Sequence, residues 1–306
     1  MQDLKETNQE ELNYLRMLWT ILNKGSERTD RTGVGTYGIF GTQLRFSLQN
    51  NVVPMLTTKK MFSKGIIEEL LFFLRGETDT KKLEAKGVNI WKGNTTREFL
   101  DQRGLEDLSD GDMGKGYGFQ WRNFGGKITS NKFNANRPPP MNRYADGVDQ
   151  LEQVLNTLKT NPTDRRIIIS AWNPKQIPEM ALPPCHCFCQ FYADNNKLSC
   201  QFYMRSVDSF LGLPFNILSY AILTRIIAQT VNMEAEELIF IGGDTHIYKN
   251  HVQAVLSQIT RNPFEFPTMI IKKSLKSLED IEKLSLNDFE FQNYQSHPAI
   301  KAEMAV

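Results

Sequence analysis

The stretch from about Phe215 to Val231 is a long apolar helix, and three runs that look like buried strands come before it: Arg165 to Trp172, Cys187 to Tyr192 and Leu198 to Met204. A helix apolar round most of its circumference has to be packed on all sides, so it needs a sheet beside it. Other helices are expected at residues 9–24, where Leu12, Leu15, Leu18, Trp19 and Leu22 keep helical spacing, and from Ile66 to Leu74, an apolar run holding Glu68 and Glu69. Residues 37–48 resemble a strand with turns, residues 147–160 an amphipathic helix, and the last third mixes strands with a helix near 246–260. These elements predict an α+β fold, a mixed sheet covered by helices. No internal repeat or linker divides the chain, so residues 1–306 are expected to form a single domain. Residues 92–146 are the least regular: an acidic stretch and Gly114-Lys115-Gly116-Tyr117-Gly118 come before Pro138-Pro139-Pro140. A surface insertion is expected there, at about 127–146.

A chain of 306 residues buries enough surface to need no disulfide staples. Its net charge of +1 provides no global field for nucleic acid or an anionic membrane, so any phosphate must be held by local arginines. The first residues, Met-Gln-Asp-Leu-Lys-Glu, lack a signal-like apolar core. No run reaches the roughly 18 apolar residues of a membrane-spanning helix, and the expectation is a soluble, cytoplasmic protein. All four cysteines, Cys185, Cys187, Cys189 and Cys200, crowd into one segment. Disulfides stabilise by closing long loops, so reduced thiols are expected.

The chemistry concentrates at Pro183-Pro184-Cys185-His186. Proline removes donors and fixes the chain, so the Pro-Pro pair presents Cys185 in a set place. A nearby arginine would populate the thiolate, the reactive form. The Cys-x-Cys-x-Cys series raises a zinc site, but structural zinc uses paired ligands with two to four residues between them, and no second pair follows Cys200; no metal is expected. Arg31, Arg165, Arg166 and Arg205 suit a phosphate monoester, which guanidinium grips in a bidentate fork. The other reading is surface ion pairing, for example Asp164 with Arg165. Asp208 and Asn216 frame an apolar loop. Asn216 offers a donor and an acceptor to a uracil-like edge, or it caps the following helix. His246 and Tyr248 alternate in one run, as donors to a ribose hydroxyl or as satisfied core polars.

Taken together, these residues resemble the thymidylate synthase family nearly end to end. The motifs are Asp30-Arg31-Thr32-Gly33, Thr57-Thr58-Lys59, Tyr117-Gly118-Phe119-Gln120-Trp121-Arg122, Asp164-Arg165-Arg166, Ala181-Leu182-Pro183-Pro184-Cys185-His186, Arg205-Ser206-Val207-Asp208, Gly212-Leu213-Pro214-Phe215-Asn216 and His246-Ile247-Tyr248. The resemblance implies that Cys185 attacks C6 of dUMP and that C5 then takes the one-carbon unit of 5,10-methylenetetrahydrofolate, giving dTMP and dihydrofolate. It implies Arg31, Arg165, Arg166, Arg205 and Ser206 at the phosphate, Asn216 at the base, and His246 and Tyr248 at the 3′-hydroxyl. Glu69 and Tyr117 would manage protons. Asp208, Gly212, Lys59, Trp91 and Val306 would serve the folate. It further implies a homodimer formed through a sheet face, with Arg165 and Arg166 reaching into the partner's site.

The sequence departs from that family at Lys92, Lys115, Gly116 and Met204. Lys115 stands where proline is usual. A loosened, wetter pocket would let water replace hydride and give 5-hydroxymethyl-dUMP with tetrahydrofolate, so dUMP hydroxymethylation is the alternative. A non-enzymatic RNA-binding relative is opposed by the intact Cys185, Glu69 and Asn216, and the net charge gives it no support.

Overall fold

The structure, a computed structural model, describes residues 8–30, 32–127 and 146–303. Helix α1 (Gln9–Lys24) leads through β1 (Ser26–Arg28) into β2 (Thr36–Ser47). Helices α2 (Ser63–Leu74), α3 (Lys81–Glu84), α4 (Arg97–Gln102), α5 (Tyr117–Asn123) and α6 (Gln150–Thr160) follow. Strands β3 (Ile168–Ser170), β4 (His186–Asp194) and β5 (Lys197–Asp208) precede the long α7 (Gly212–Thr230) and β6 (Glu234–Tyr248). Helix α8 (Val252–Ile259), β7 (Thr268–Ile271), α9 (Leu278–Glu282) and β8 (Phe289–Gln292) complete the chain.

The main sheet has the order β1-β2-β6-β5-β4-β3. Its β5–β6 pair is parallel and the rest antiparallel, so the sheet is mixed and the α+β expectation holds. Strand alternation sorts the two faces. Across one face run Leu44–Phe240–Phe202–Cys189 and Phe46–Leu238–Cys200–Phe191, all buried. Helix α7 packs on this face, and Tyr220 stacks on Phe202 at 4.2 Å. The other face carries Gln43, Arg45, Ile239, Ile241, Tyr203 and Phe188, none of them fully buried. Asn195 and Asn196 turn β4 into β5 with φ of 48° and 61°, the left-handed geometry that a two-residue hairpin demands and that Asn tolerates best among residues with a Cβ.

Three boundaries differ from the expectation. The run from Arg165 becomes strand only at Ile168, because Asp164 accepts the Arg166 amide at 2.8 Å and folds the chain back on itself. The helix near 246–260 starts at Val252, since β6 continues through Tyr248 opposite β2. Helix α5 lies inside the stretch read as irregular. Gly116 at its cap and Gly118 within it suggest a loop, yet all seven of its residues are buried, and packing outweighs propensity. Arg122 anchors it, donating to both Asp149 oxygens, to the Leu74 carbonyl at 2.5 Å and to Glu282 at 2.8 Å. The expected insertion falls almost wholly outside the described residues.

One buried carboxylate organises the start of the chain. Glu11 accepts the amides of Thr57 and Thr58 and both their hydroxyls, at 2.6 to 3.0 Å. Glu11→Ala would strand four donors in the interior. We expect it to cost about 3–5 kcal/mol, read as a lowered urea midpoint with an unchanged slope.

Candidate active site

Cys185 sits at the entry to β4, half-buried and in no disulfide. Its neighbours fix its backbone from three directions. Its amide donates to the Tyr117 hydroxyl at 2.7 Å, and its carbonyl accepts from the Arg205 amide at 2.9 Å. The Arg205 guanidinium donates to the Pro184 carbonyl at 2.8 Å and the Pro183 carbonyl at 3.0 Å. The Pro-Pro corner thus leaves its carbonyls free for an arginine, which brings positive charge to the segment presenting the thiol. Trp172 lies beneath that guanidinium at 5.5 Å. A tryptophan closing a strand-like run was the only sequence signal for this support.

Glu69 projects from α2 into the same cluster. The Trp91 indole donates to it at 2.7 Å. The residue is partly exposed as a whole, but the carboxyl itself lies deep among protein atoms. Burial raises it from the usual 4.5 to about 7, against the pull of the Trp91 hydrogen bond. Burial also pushes the Tyr117 phenol well above its usual range, with the Cys185 thiol acting in the same sense. The Trp91 and Tyr117 rings meet at 5.9 Å, and Phe73 lies 5.0 Å from Tyr117. His186 stacks on Tyr117 at 3.9 Å and shares a 2.8 Å hydrogen bond with Tyr220. Burial lowers this histidine to about 3, so it is neutral at working pH. The cysteine motif contains His186, but nothing in the sequence assigned it this stacking role.

A second group lies at the ends of the parallel strands. Register sets Ser206 opposite Asp244 and Asp208 opposite His246. His246 and Asp244 are hydrogen-bonded at 3.0 Å, and the Tyr248 ring meets His246 at 5.2 Å. Asp208 accepts the amides of Phe210 and Leu211 at 3.0 and 3.1 Å, which shapes the turn into Gly212. Lys59, expected near the folate tail, is buried beneath that turn. It donates to the Phe210 carbonyl and lies 3.7 Å from the Phe210 ring. Burial lowers it to about 7, with Asp208 opposing. Tyr14 donates to the neighbouring Ser209 carbonyl at 2.9 Å. Asn216 is the fifth residue of α7 and is not its cap, since Leu211 holds that position.

Two arginines stand apart. Arg165 and Arg166 precede β3, where Ile167 bonds Phe191; at about 3.3 Å per residue along β4 this is roughly 20 Å from Cys185. Arg166 is exposed and forms a fork with Asp164, at 2.9 and 2.8 Å. Asp164 therefore pairs with Arg166, whereas the ion-pairing alternative offers Arg165 as its example. Arg31 and Val306 lie outside the described residues. Among the described residues, no cluster of three or more His, Cys, Asp or Glu could hold a metal ion. A cavity of about 570 Å³ opens at the opposite end of α7, around Arg225, Asn51 and Asn196, but it brings no nucleophile beside a base.

The four departures do not loosen the cluster. Lys92 reaches Glu84 at 3.7 Å, Lys115 pairs with Glu179 at 2.7 Å, and Met204 is in the core. The Met113 side chain fills the space beside Gly116.

A thiol held beside an arginine, with the Glu69 carboxyl and several aromatic rings gathered around Tyr117, is an arrangement that can serve nucleophilic chemistry by cysteine. The thymidylate synthase family model matches residues 12–306. Thymidylate synthase of Saccharomyces cerevisiae is 49% identical over 98% of this chain and 98% of its own length. The human thymidylate synthase is 48% identical over 97% of this chain and 91% of its own. The bifunctional dihydrofolate reductase-thymidylate synthase of Leishmania major is 49% identical, and the chain spans about half of its length, 56%. The chain belongs to the thymidylate synthase family.

Proposed function

We propose that this protein converts dUMP and 5,10-methylenetetrahydrofolate to dTMP and dihydrofolate. The observation that carries this reading is that Cys185, Arg205 and Glu69 gather around Tyr117, whose hydroxyl accepts the Cys185 amide. The Cys185 sulfur adds to C6 of the pyrimidine, and the displaced electron pair moves through C5 towards O4. C5 then forms the new carbon–carbon bond and gives up its proton as the bond from that carbon to the folate nitrogen breaks; hydride added to the same carbon completes the methyl group, and the C6–S bond breaks to return the thiolate. The folate, when bound, supplies the one-carbon unit and the hydride. Glu69, raised to about 7, can hold or release a proton near neutrality, which suits work at the base and the folate. Trp91, which Phe73 and Tyr117 meet edge-on, offers an aromatic surface for the folate, and Asp208 and Gly212 lie on a turn that Lys59 and Tyr14 hold from below.

Arg205 and Ser206, with Arg31, take the phosphate, and His246 and Tyr248 the 3′-hydroxyl. Asn216 reads the base edge. Asn216→Asp should move preference from dUMP towards dCMP by about 1–3 kcal/mol. Competition kinetics with both nucleotides check this, and an unchanged ratio would remove the assignment. Arg165 and Arg166 act on the partner's site in a homodimer. The incompletely buried sheet face and the roughly 20 Å separation from Cys185 support that reading. Residues 1–306 form one domain, and Val306 closes over the folate. The reading also puts the protein in the cytoplasm. Its four cysteines form no disulfide, and no helix among the described residues is long and apolar enough to cross a membrane.

Methylation is preferred to hydroxymethylation because the named relatives that match the chain nearly end to end are thymidylate synthases, and the four departures are packed or ion-paired. Dihydrofolate formation from dUMP, followed by absorbance, tests it; turnover that returns only tetrahydrofolate would refute it.

A further inference from the structure

We infer that Lys115 is a positioning residue for Cys185. The segment 113–115 runs beside residues 179–181, which lead directly into the Pro183-Pro184 corner. Three contacts make this a short antiparallel ladder: the Gly114–Met180 bridge, the Lys115 amide on the Glu179 carbonyl at 3.1 Å, and the Ala181 amide on the Met113 carbonyl at 3.1 Å. Gly114 permits the close approach. Its φ is +66°, and a Cβ there would lie 2.2 Å from the Glu179 carbonyl oxygen. The Lys115 ammonium then closes the ladder from the side, 2.7 Å from the Glu179 carboxylate and 5.7 Å from the Phe119 ring centre. The side chain of Lys115 is 9% exposed and that of Glu179 50%, so the lysine is the fixed member and holds the acid. The Lys115 carbonyl accepts from Gln120 at 2.9 Å, and Gln120 bonds Gln176 on the same segment.

Two residues further on, the Tyr117 hydroxyl accepts the Cys185 amide. One short stretch, 113–117, therefore grips the cysteine-bearing segment at Glu179–Ala181 and again at Cys185. The proline usual in this family would have no amide to give Glu179 and no cation to hold its side chain. Lys115 supplies both. It fastens the corner that the sequence departure alone suggested was loose, and it acts through the segment without touching the reacting atoms.

The role rests on Cys185 being the nucleophile, but its test does not depend on which product forms. Cys187, Cys189 and Cys200 are buried, so the rate of alkylation by iodoacetamide in the native protein reports Cys185. Lys115→Met should slow alkylation and lower kcat together, each about tenfold, with KM for dUMP within about twofold. Glu179→Gln should do the same, the double variant should be no worse than either single change, and Lys115→Arg should restore both rates. Unchanged alkylation in folded Lys115→Met, or additive losses in the double variant, would overturn the inference. Slowed alkylation with restoration by arginine would uphold it even if the product were 5-hydroxymethyl-dUMP.

Discussion

Cys185→Ser should lower turnover by roughly 10⁴-fold or more while leaving dUMP binding within a few-fold. The asymmetry follows from where each function lies. The thiol is needed for the bond to C6, and a serine hydroxyl in the same place ionises far less readily than a thiol and is the weaker nucleophile. His186 next door is neutral, committed to Tyr220 and stacked on Tyr117. The proposed function assigns binding to Arg205, Ser206, Asn216, His246 and Tyr248, and the backbone bonds that hold residue 185 to Tyr117 and Arg205 involve no side-chain atom of Cys185. Equilibrium binding of dUMP together with single-turnover kinetics separates the two effects. A serine variant with substantial turnover would remove Cys185 from the nucleophile's role.

Glu69→Gln should have the second-largest effect, a loss of about 10²- to 10⁴-fold in kcat with a smaller change in KM. It carries a second, independent signature in stability. Burial raises the Glu69 carboxyl from 4.5 to about 7. In that window the folded chain keeps the proton and the unfolded chain releases it. The stability this proton contributes is complete below about pH 4.5 and is lost as pH rises through about 7. Glutamine cannot titrate. Relative to the parent, Glu69→Gln should therefore gain up to about 3 kcal/mol between about pH 5 and pH 8. Urea unfolding at the two pH values measures the gain. A parallel pH dependence in the two proteins would place the carboxyl in a wetter site than its packing against Trp91 implies.

How much was legible depended on whether a residue's role is local. Helix α7 and strands β4 and β5 could be read because apolar runs bounded by turn residues carry their own signal. Cys185, Arg205 and Asn216 could be found because the motifs that hold them are short. Glu11 could not. It looks like an acid in the first turn of an amphipathic helix, and its four donors lie more than forty residues away at Thr57 and Thr58. Lys59 was expected at the folate tail, and the Phe210 carbonyl that holds it comes from the other half of the chain. Helix α5 was hidden because Gly116 and Gly118 suggest a loop, while the burial that makes it a helix is tertiary. Lys115 was noticed for its chemistry, but its direction was not readable, since that is decided by where Glu179 falls.

The account turns on how the reaction started by Cys185 ends. Mass analysis of the nucleotide formed from dUMP and 5,10-methylenetetrahydrofolate tests this most directly. The account predicts a product heavier than dUMP by one CH₂, formed together with dihydrofolate; a product heavier by CH₂O, with tetrahydrofolate returned, would contradict it.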